Sequence, residues 1–234
     1  MRRLAKWVAV LGVVAWLSGC DPAEIGLARE RRELVFEHLG LTIGAAIPNG
    51  RVLVVGNPYV RRPGAAAEIR HAEADALRGL KRGLGSAGLS IEVDYPELKP
   101  GALEDPRSIG IPAGATTPLS YLTVPGAWDE MAERHRQAKV WVSLIGVPAD
   151  LASTRAWMNP DGPTWVLYQP DLAMVGSVEV LEAAFRSGRL LAVVLPRPGA
   201  PAESQPMNVD RQKEFDSRYV LLTRANHSTA GRAE

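Results

Sequence analysis

Apolar and β-branched residues gather into six short runs, at Arg51 to Gly56, Ser90 to Asp94, Val140 to Ile145, Thr164 to Tyr168, Leu190 to Leu195 and Tyr219 to Thr223. The runs are continuous rather than alternating, which is the pattern of strands covered on both faces. Five of them meet proline almost at once, in Asn57-Pro58, Tyr95-Pro96, Val147-Pro148, Gln169-Pro170 and Leu195-Pro196. Proline has no N–H for a ladder and holds its predecessor extended, so these dipeptides mark strand exits.

Between the runs the period becomes helical. From Ala65 to Leu84, the residues Ile69, Ala72, Ala76, Leu77, Leu80 and Leu84 share one stripe, and Arg70, Asp75, Arg78 and Arg82 lie away from it. Pro125, Gly126 and Asp129 open a second helix with Trp128, Met131 and Ala132 inward. Ser177 is placed to cap a third, with Val178, Leu181 and Phe185 inward and Gly188 at a left-handed C-cap. Asn159-Pro160-Asp161-Gly162 reads as a turn. Strand and helix in alternation imply right-handed crossovers. The expected fold is α/β and doubly wound, with a mainly parallel sheet of about six strands and helices on both faces. Large aromatics are expected in the core, except Trp157, which is expected at the surface beside its turn.

Ahead of this domain, expected over residues 41–226, Asp21-Pro22-Ala23-Glu24 has capping-box spacing. It predicts a helix from Pro22 to His38 within a stalk of residues 21–40. There Arg29, Arg31 and Arg32 are offset by Glu24, Glu30 and Glu33, as on a solvated face. Residues 227–234, including His227, read as a frayed tail.

The first residues carry an address. Arg2, Arg3 and Lys6 precede an apolar run from Trp7 to Leu17, shorter than the roughly 20 residues that span a bilayer. Leu17-Ser18-Gly19-Cys20 resembles the bacterial lipobox. The resemblance implies a signal peptide over residues 1–20, whose cysteine is lipidated and anchors the chain to a membrane of the cell envelope. Asp21 after the cysteine points to the periplasmic face of the inner membrane. Cys20 is the sole cysteine, so its acylation leaves no thiol for disulfides, metal or nucleophilic catalysis. Loss of Arg2, Arg3 and Lys6 from the 27 basic residues leaves the 26 acidic ones in slight excess, which argues against nucleic acid as a partner.

In open parallel sheets, ligands bind beyond the carboxyl ends of the strands. The exit loops there carry Asn57, Tyr59, Arg61, Arg62, Gln169, Asp171 and Arg197. The three arginines suit a carboxylate or phosphate, and Asn57 and Gln169 suit orientation. Leu98 to Thr117 is the longest irregular stretch and leaves the same rim, as a lid or a partner-contacting loop does. No phosphate-binding loop follows a strand, and Gly85-Ser86-Ala87-Gly88 lacks the glycine of a nucleophile elbow. His71 and Asp75 read as a surface pair on one helix, and His135 as a shield for a helix edge. These residues imply no metal and no cofactor, and they favour a binding protein over an enzyme.

The segment Ala76 to Leu84, with its Gly79-Leu80 and Gly83-Leu84 pairs, leads into Gly88 to Tyr95. It resembles the first helix and second strand of type I periplasmic solute-binding proteins. The resemblance covers residues 51–97 and implies a ligand-binding α/β domain in the envelope. That family encloses its ligand between two lobes, whereas this chain has strands for one large lobe or a compressed pair, so no ligand residue carries over. The expected function is binding of a small polar or anionic ligand at the strand exits. The alternative is an envelope module that contacts another protein there without a small ligand; a hydrolase or transferase with dispersed catalytic residues is a third.

Overall fold

A computed structural model of the chain describes residues 22–113 and 115–227. Six strands, β1 (Asn49–Val55), β2 (Gly88–Asp94), β3 (Ala138–Ser143), β4 (Thr164–Tyr168), β5 (Leu190–Pro196) and β6 (Tyr219–Thr223), form one sheet in the order β2-β1-β3-β4-β5-β6. The first five are parallel, and β6 closes the edge antiparallel to β5. The fold is the α/β sandwich that the runs predict. The chain leaves β1 for β2 on one side and returns to β3 on the other, so the strand order reverses between β1 and β3.

Eight α-helices cover the sheet among the described residues: α1 (Pro22–Ala46), α2 (Ala67–Leu84), α3 (Leu119–Leu122), α4 (Ala127–Arg134), α5 (Arg155–Met158), α6 (Leu172–Val175), α7 (Val178–Arg186) and α8 (Arg211–Arg218). On one face α1, α2 and α8 bring Leu34, Phe36, Leu39, Ile43, Leu80 and Phe215 against Val52, Val54, Val140, Val142, Val166 and Val194. On the other, α4 and α7 bring Trp128, Met131, Leu181 and Phe185 against Leu53, Val55, Trp141, Trp165 and Val193. Each strand thus buries alternate residues on opposite sides, which is why its sequence reads as unbroken apolar. No described helix is long and apolar enough to cross a membrane.

The leading helix departs from the sequence reading. It continues past His38 to Ala46, and its Leu34, Val35, Leu39 and Ile43 are completely buried. Its C-terminal half is therefore a wall of the core rather than a stalk. Cys20 and Asp21, hence the lipobox and the capping box, lie outside the described residues, as does the tail from residue 228.

Helices α1 and α2 run parallel and touch through glycine. A Cβ on Gly40 would lie 2.6 Å from the Leu80 carbonyl oxygen, and on Gly79 or Gly83 closer still to the carbonyls of Glu33 and Glu37. Flanking ion pairs tie the same seam: Arg29 to Asp75 at 3.1 Å, Arg78 to Glu33 at 2.8 Å and Arg82 to Glu37 at 3.2 Å. Asp75 is therefore not a surface partner of His71; it is fully buried and held by Arg29 and Arg78.

Nor is the arginine face of α1 solvated throughout. Arg31 is buried, donates to Glu203 Oε2 at 2.9 Å and to the carbonyls of Glu203 and Gln205, and stands 3.6 Å from Glu214. Arg218, also buried, pairs with Glu214 and donates to Pro201 O at 2.7 Å. These charges fasten the irregular chain between β5 and α8 to α1, which explains their burial.

Three further expectations change. Trp157 is buried and meets Trp165 edge-on at 5.6 Å, in a cluster with Trp128 and Trp141. His135 stands between two carboxylates, 3.0 Å from Glu92 and 2.9 Å from Asp94. His227 stacks on Phe185 with ring centroids 5.3 Å apart, so the chain is packed at that point.

Candidate functional site at the strand exits

At the end of β1 the chain passes Gly56 and Asn57 into a short 3-10 turn, Pro58–Arg61. Asn57 caps that turn, its Oδ1 accepting from the Tyr59 N–H at 3.0 Å, and proline follows where no N–H is needed. The Asn57 N–H donates to Glu73 Oε2 at 3.3 Å, and the Tyr95 hydroxyl donates to Glu73 Oε1 at 2.7 Å. Burial and the Glu73 carboxylate push the Tyr95 phenol well up, so it remains a donor. Gly56 admits this close packing, since a Cβ there would lie 2.5 Å from Glu73 Oε2. Glu73 is thus a buried carboxylate, held by donors from two strand exits and with no cation bonded to it among the described residues.

The exits of β3 and β4 complete the rim. After β3, Ser143 Oγ donates to the Gly146 carbonyl, and Gly146 takes φ +83°; Ser120 Oγ bonds Ile145 O at 3.0 Å. After β4, Gln169 has φ +44°, the sole positive value for a non-glycine among the described residues, and its N–H is held by Val194 O at 2.9 Å. Strain of this kind persists only where the surroundings enforce it and gathers at functional positions.

Between these exits and helices α1 and α2 lies a cavity of about 250 Å³, lined by Arg32, Phe36, Asn57, Glu73, Leu144 and Tyr168 among others. The Arg32 guanidinium lies over the Tyr168 ring, 5.9 Å from its centroid. Burial pushes the Tyr168 phenol up, and the Arg32 charge acts against that rise. Arg32 has no ion pair or side-chain hydrogen bond among the described residues, so its five N–H groups remain available. The cavity accordingly pairs one fork-shaped cation, Arg32, with two carboxylates, Glu68 and the buried Glu73, an amide and apolar walls.

The seven side chains expected at the rim do not converge. Asn57 lines the cavity. Tyr59 donates its hydroxyl to Ala102 O and pins the long loop. Arg61 lies over the Tyr95 ring at 4.6 Å and faces a separate hollow of about 490 Å³. Arg62 is exposed, with its backbone N–H bonded to Tyr59 O. Gln169 adjoins Tyr168 but does not line the cavity. Asp171 caps α6, accepting from Ala173 N at 3.1 Å, and accepts from Thr116 N at 3.5 Å. Arg197 donates to Tyr219 O at 3.2 Å. It follows β5, three strand spacings from β1, or about 14 Å, so Arg61 and Arg197 do not grip one small anion between them. Another hollow, about 850 Å³, lies at the opposite end of the sheet, with Ala138, Trp141, Arg155 and Met158 in its lining.

The Leu98–Thr117 segment crosses the rim. It is pinned by Lys99 N to Leu122 O at 2.8 Å, by Tyr59, and by the contact of Thr116 with Asp171. Sequence reasoning missed Arg32, Phe36, Glu73 and Tyr168. Tyr168 was legible as the last residue of a strand, but nothing local shows that α1 and α2 bring the other three to it.

No protein-family model and no curated protein sequence matches the chain. Among solved structures, the substrate-binding protein of a sugar ABC transport system from Bordetella parapertussis is similar at TM-score 0.49 and 14% identity, over 85% of this chain and 57% of that one. A fructose-binding periplasmic domain of a hybrid two-component system gives 0.48 and 8%, over 85% and 58%. A glucose-galactose binding protein from Geobacillus stearothermophilus gives 0.43 and 6%, over 84% and 60%. The chain therefore spans less than two thirds of the length of these sugar-binding proteins.

Proposed function

We propose that this chain is a lipoprotein of the cell envelope, anchored through Cys20 on the periplasmic side, and that its domain binds a small polar or anionic ligand in the Arg32 cavity. One observation carries the reading: a guanidinium with no bonded partner among the described residues borders a cavity at the point where the strand order reverses, the usual ligand position in open parallel sheets. Arg32 grips the ligand's carboxylate, phosphate or polarised oxygen by forked hydrogen bonds. The Asn57 amide and the Glu73 carboxylate orient its hydroxyl or ammonium groups, and Phe36 and Leu144 cover its apolar part. At about 250 Å³, the cavity falls below the roughly 300–1,000 Å³ of drug-sized sites and suits a single small metabolite.

A thermal-shift screen of residues 21–234 against amino acids, sugars, nucleotides and phosphorylated metabolites tests this. A ligand at 100 times its Kd stabilises by about 2.7 kcal/mol, a rise in Tm of about 5–11 °C for a domain of this size. No shift across the panel contradicts the reading and favours an envelope module that contacts another protein. Anchoring is tested separately: Cys20→Ser should release the protein from membranes, and continued membrane association would remove the lipoprotein claim.

A further inference from the structure

The position of α1 fixes which end of the domain is tethered. Because α1 and α2 run parallel, Arg29 lies level with Asp75, and Glu33 level with Arg78 and Gly79. The same offset sets Pro22 level with Glu68, in the first turn of α2. Helix α2 starts at the strand-exit rim, and its Glu73 touches the end of β1. Glu68 is five residues nearer the helix start, about 8 Å beyond the strand ends at 1.5 Å per residue. Cys20 is two residues from Pro22, at most about 7 Å of extended chain. A lipid on Cys20 would therefore be tied within that length of the rim end of α1, on the side away from the turn at Asn159–Gly162 that precedes β4.

We infer that the strand-exit end of the domain faces the bilayer and rests on its phospholipid headgroups. The proposal depends on the Cys20 anchor proposed above and goes beyond it, since a lipid on a long flexible stalk leaves orientation free. Here the second half of the expected stalk is packed into the core, and the stretch between Cys20 and the helix is short. The rim also has a surface suited to that position. Four of the exposed large apolar side chains are at this end: Ile25 on the first turns of α1, Leu103 in the crossing loop, and Val178 and Val180 at the start of α7. Arg61 and Arg62 stand on the turn after β1, where phosphate groups of the headgroup layer meet them. Scattered apolar side chains beside arginines at a lipid-tethered end match the interfacial region, where apolar parts sink and guanidinium groups stay with phosphate.

The acylated full-length protein, reconstituted in vesicles of phosphatidylethanolamine and phosphatidylglycerol, provides the test. With Cys20 blocked by its lipid, a single exposed cysteine is introduced by Ala66→Cys at the rim or by Asp161→Cys at the opposite end. The rate of reaction with a bulky, membrane-impermeant maleimide polymer is then compared on vesicles and in detergent. On vesicles the rim cysteine should react an order of magnitude more slowly than in detergent, and the cysteine at 161 should react equally in both. Flotation of the same samples reads the anchor independently, and melting curves confirm that both variants are folded. Flotation with equal rates at both positions, or with position 161 protected instead, overturns the orientation and leaves the anchor standing. Failure to float removes both.

Discussion

The two faces of the sheet reach the same degree of burial by different means. On the face of α4 and α7, space is filled by volume: Trp128, Trp141 and Trp165 are at most 1% exposed, and their indole N–H groups have no hydrogen-bond partner among the described residues. On the face of α1, α2 and α8, helices approach through glycine, and the buried charges are paired: Asp75 is held by Arg29 and Arg78, while Arg31 and Arg218 share Glu214 and donate to carbonyls of the segment before α8. A tryptophan cluster seals its side of the sheet. A glycine seam draws two helices together, and the cavity lies between them and the exits of β1, β3 and β4. Polar groups of the second face thus fasten it, and others, Arg32 and Glu73, line its cavity.

Substitutions sharpen that contrast. The largest effect belongs to Trp165→Ala, which removes the ring that Trp128, Trp141 and Trp157 all touch. It should cost about 3–5 kcal/mol in denaturant unfolding. Gly83→Val on the other face should cost about 3 kcal/mol, because the new side chain meets backbone that cannot yield. Its circular dichroism should show partial loss of helix as α1 detaches. If Gly83→Val were neutral, the glycine seam would not be what holds α1.

Acid should distinguish the faces as well. In the folded protein Glu214 titrates below its ordinary value of 4.5: burial opposes its charge, but the Asn208 N–H, the Arg218 side chain and the Arg218 and Arg31 charges prevail. The unfolded chain then takes up the proton first, so the stabilisation is full above pH 4.5 and is lost as pH falls through the lower folded value. The stability gap between the parent protein and Glu214→Gln should be open at pH 7 and narrow below pH 4.5. A gap unchanged with pH would mean that the charge on Glu214 does not fasten the β5–α8 segment.

The strands were legible because their signal is local. A run covered on both faces is apolar throughout, and the proline that ends it is adjacent, so the Thr164–Tyr168 and Tyr219–Thr223 boundaries agree residue for residue with the structure. Helix α7, with Gly188 at φ +78° just beyond it, was legible for the same reason, although Ser177 makes no side-chain capping bond and Val178, expected inward with Leu181 and Phe185, is exposed because it lies in the first turn, before the helix packs on the sheet. The candidate site was only half legible. Rim position follows from topology, and Asn57 follows from rim position. Which arginine faces the cavity depends on the docking of α1, whose charged residues look solvated until Asp75 and Glu214 are brought to them from 46 and 183 positions away. Glu73 was hidden for a related reason, since its partners Asn57 and Tyr95 come from two different strand exits.

The smallest effect on stability should come from Arg32→Ala. Arg32 is partly exposed and bonded to no other side chain among the described residues, so its loss should change unfolding by no more than about 0.5 kcal/mol. This separates the site from the scaffold, and the most direct test uses that separation. Any compound that raises the melting temperature of the parent protein is titrated by calorimetry against Arg32→Ala and against the Arg61→Ala, Arg197→Ala double variant. The account predicts that Arg32→Ala melts like the parent and loses binding, and that the double variant keeps it. Binding retained by Arg32→Ala and lost in the double variant would contradict the cavity and move the site to the outer rim.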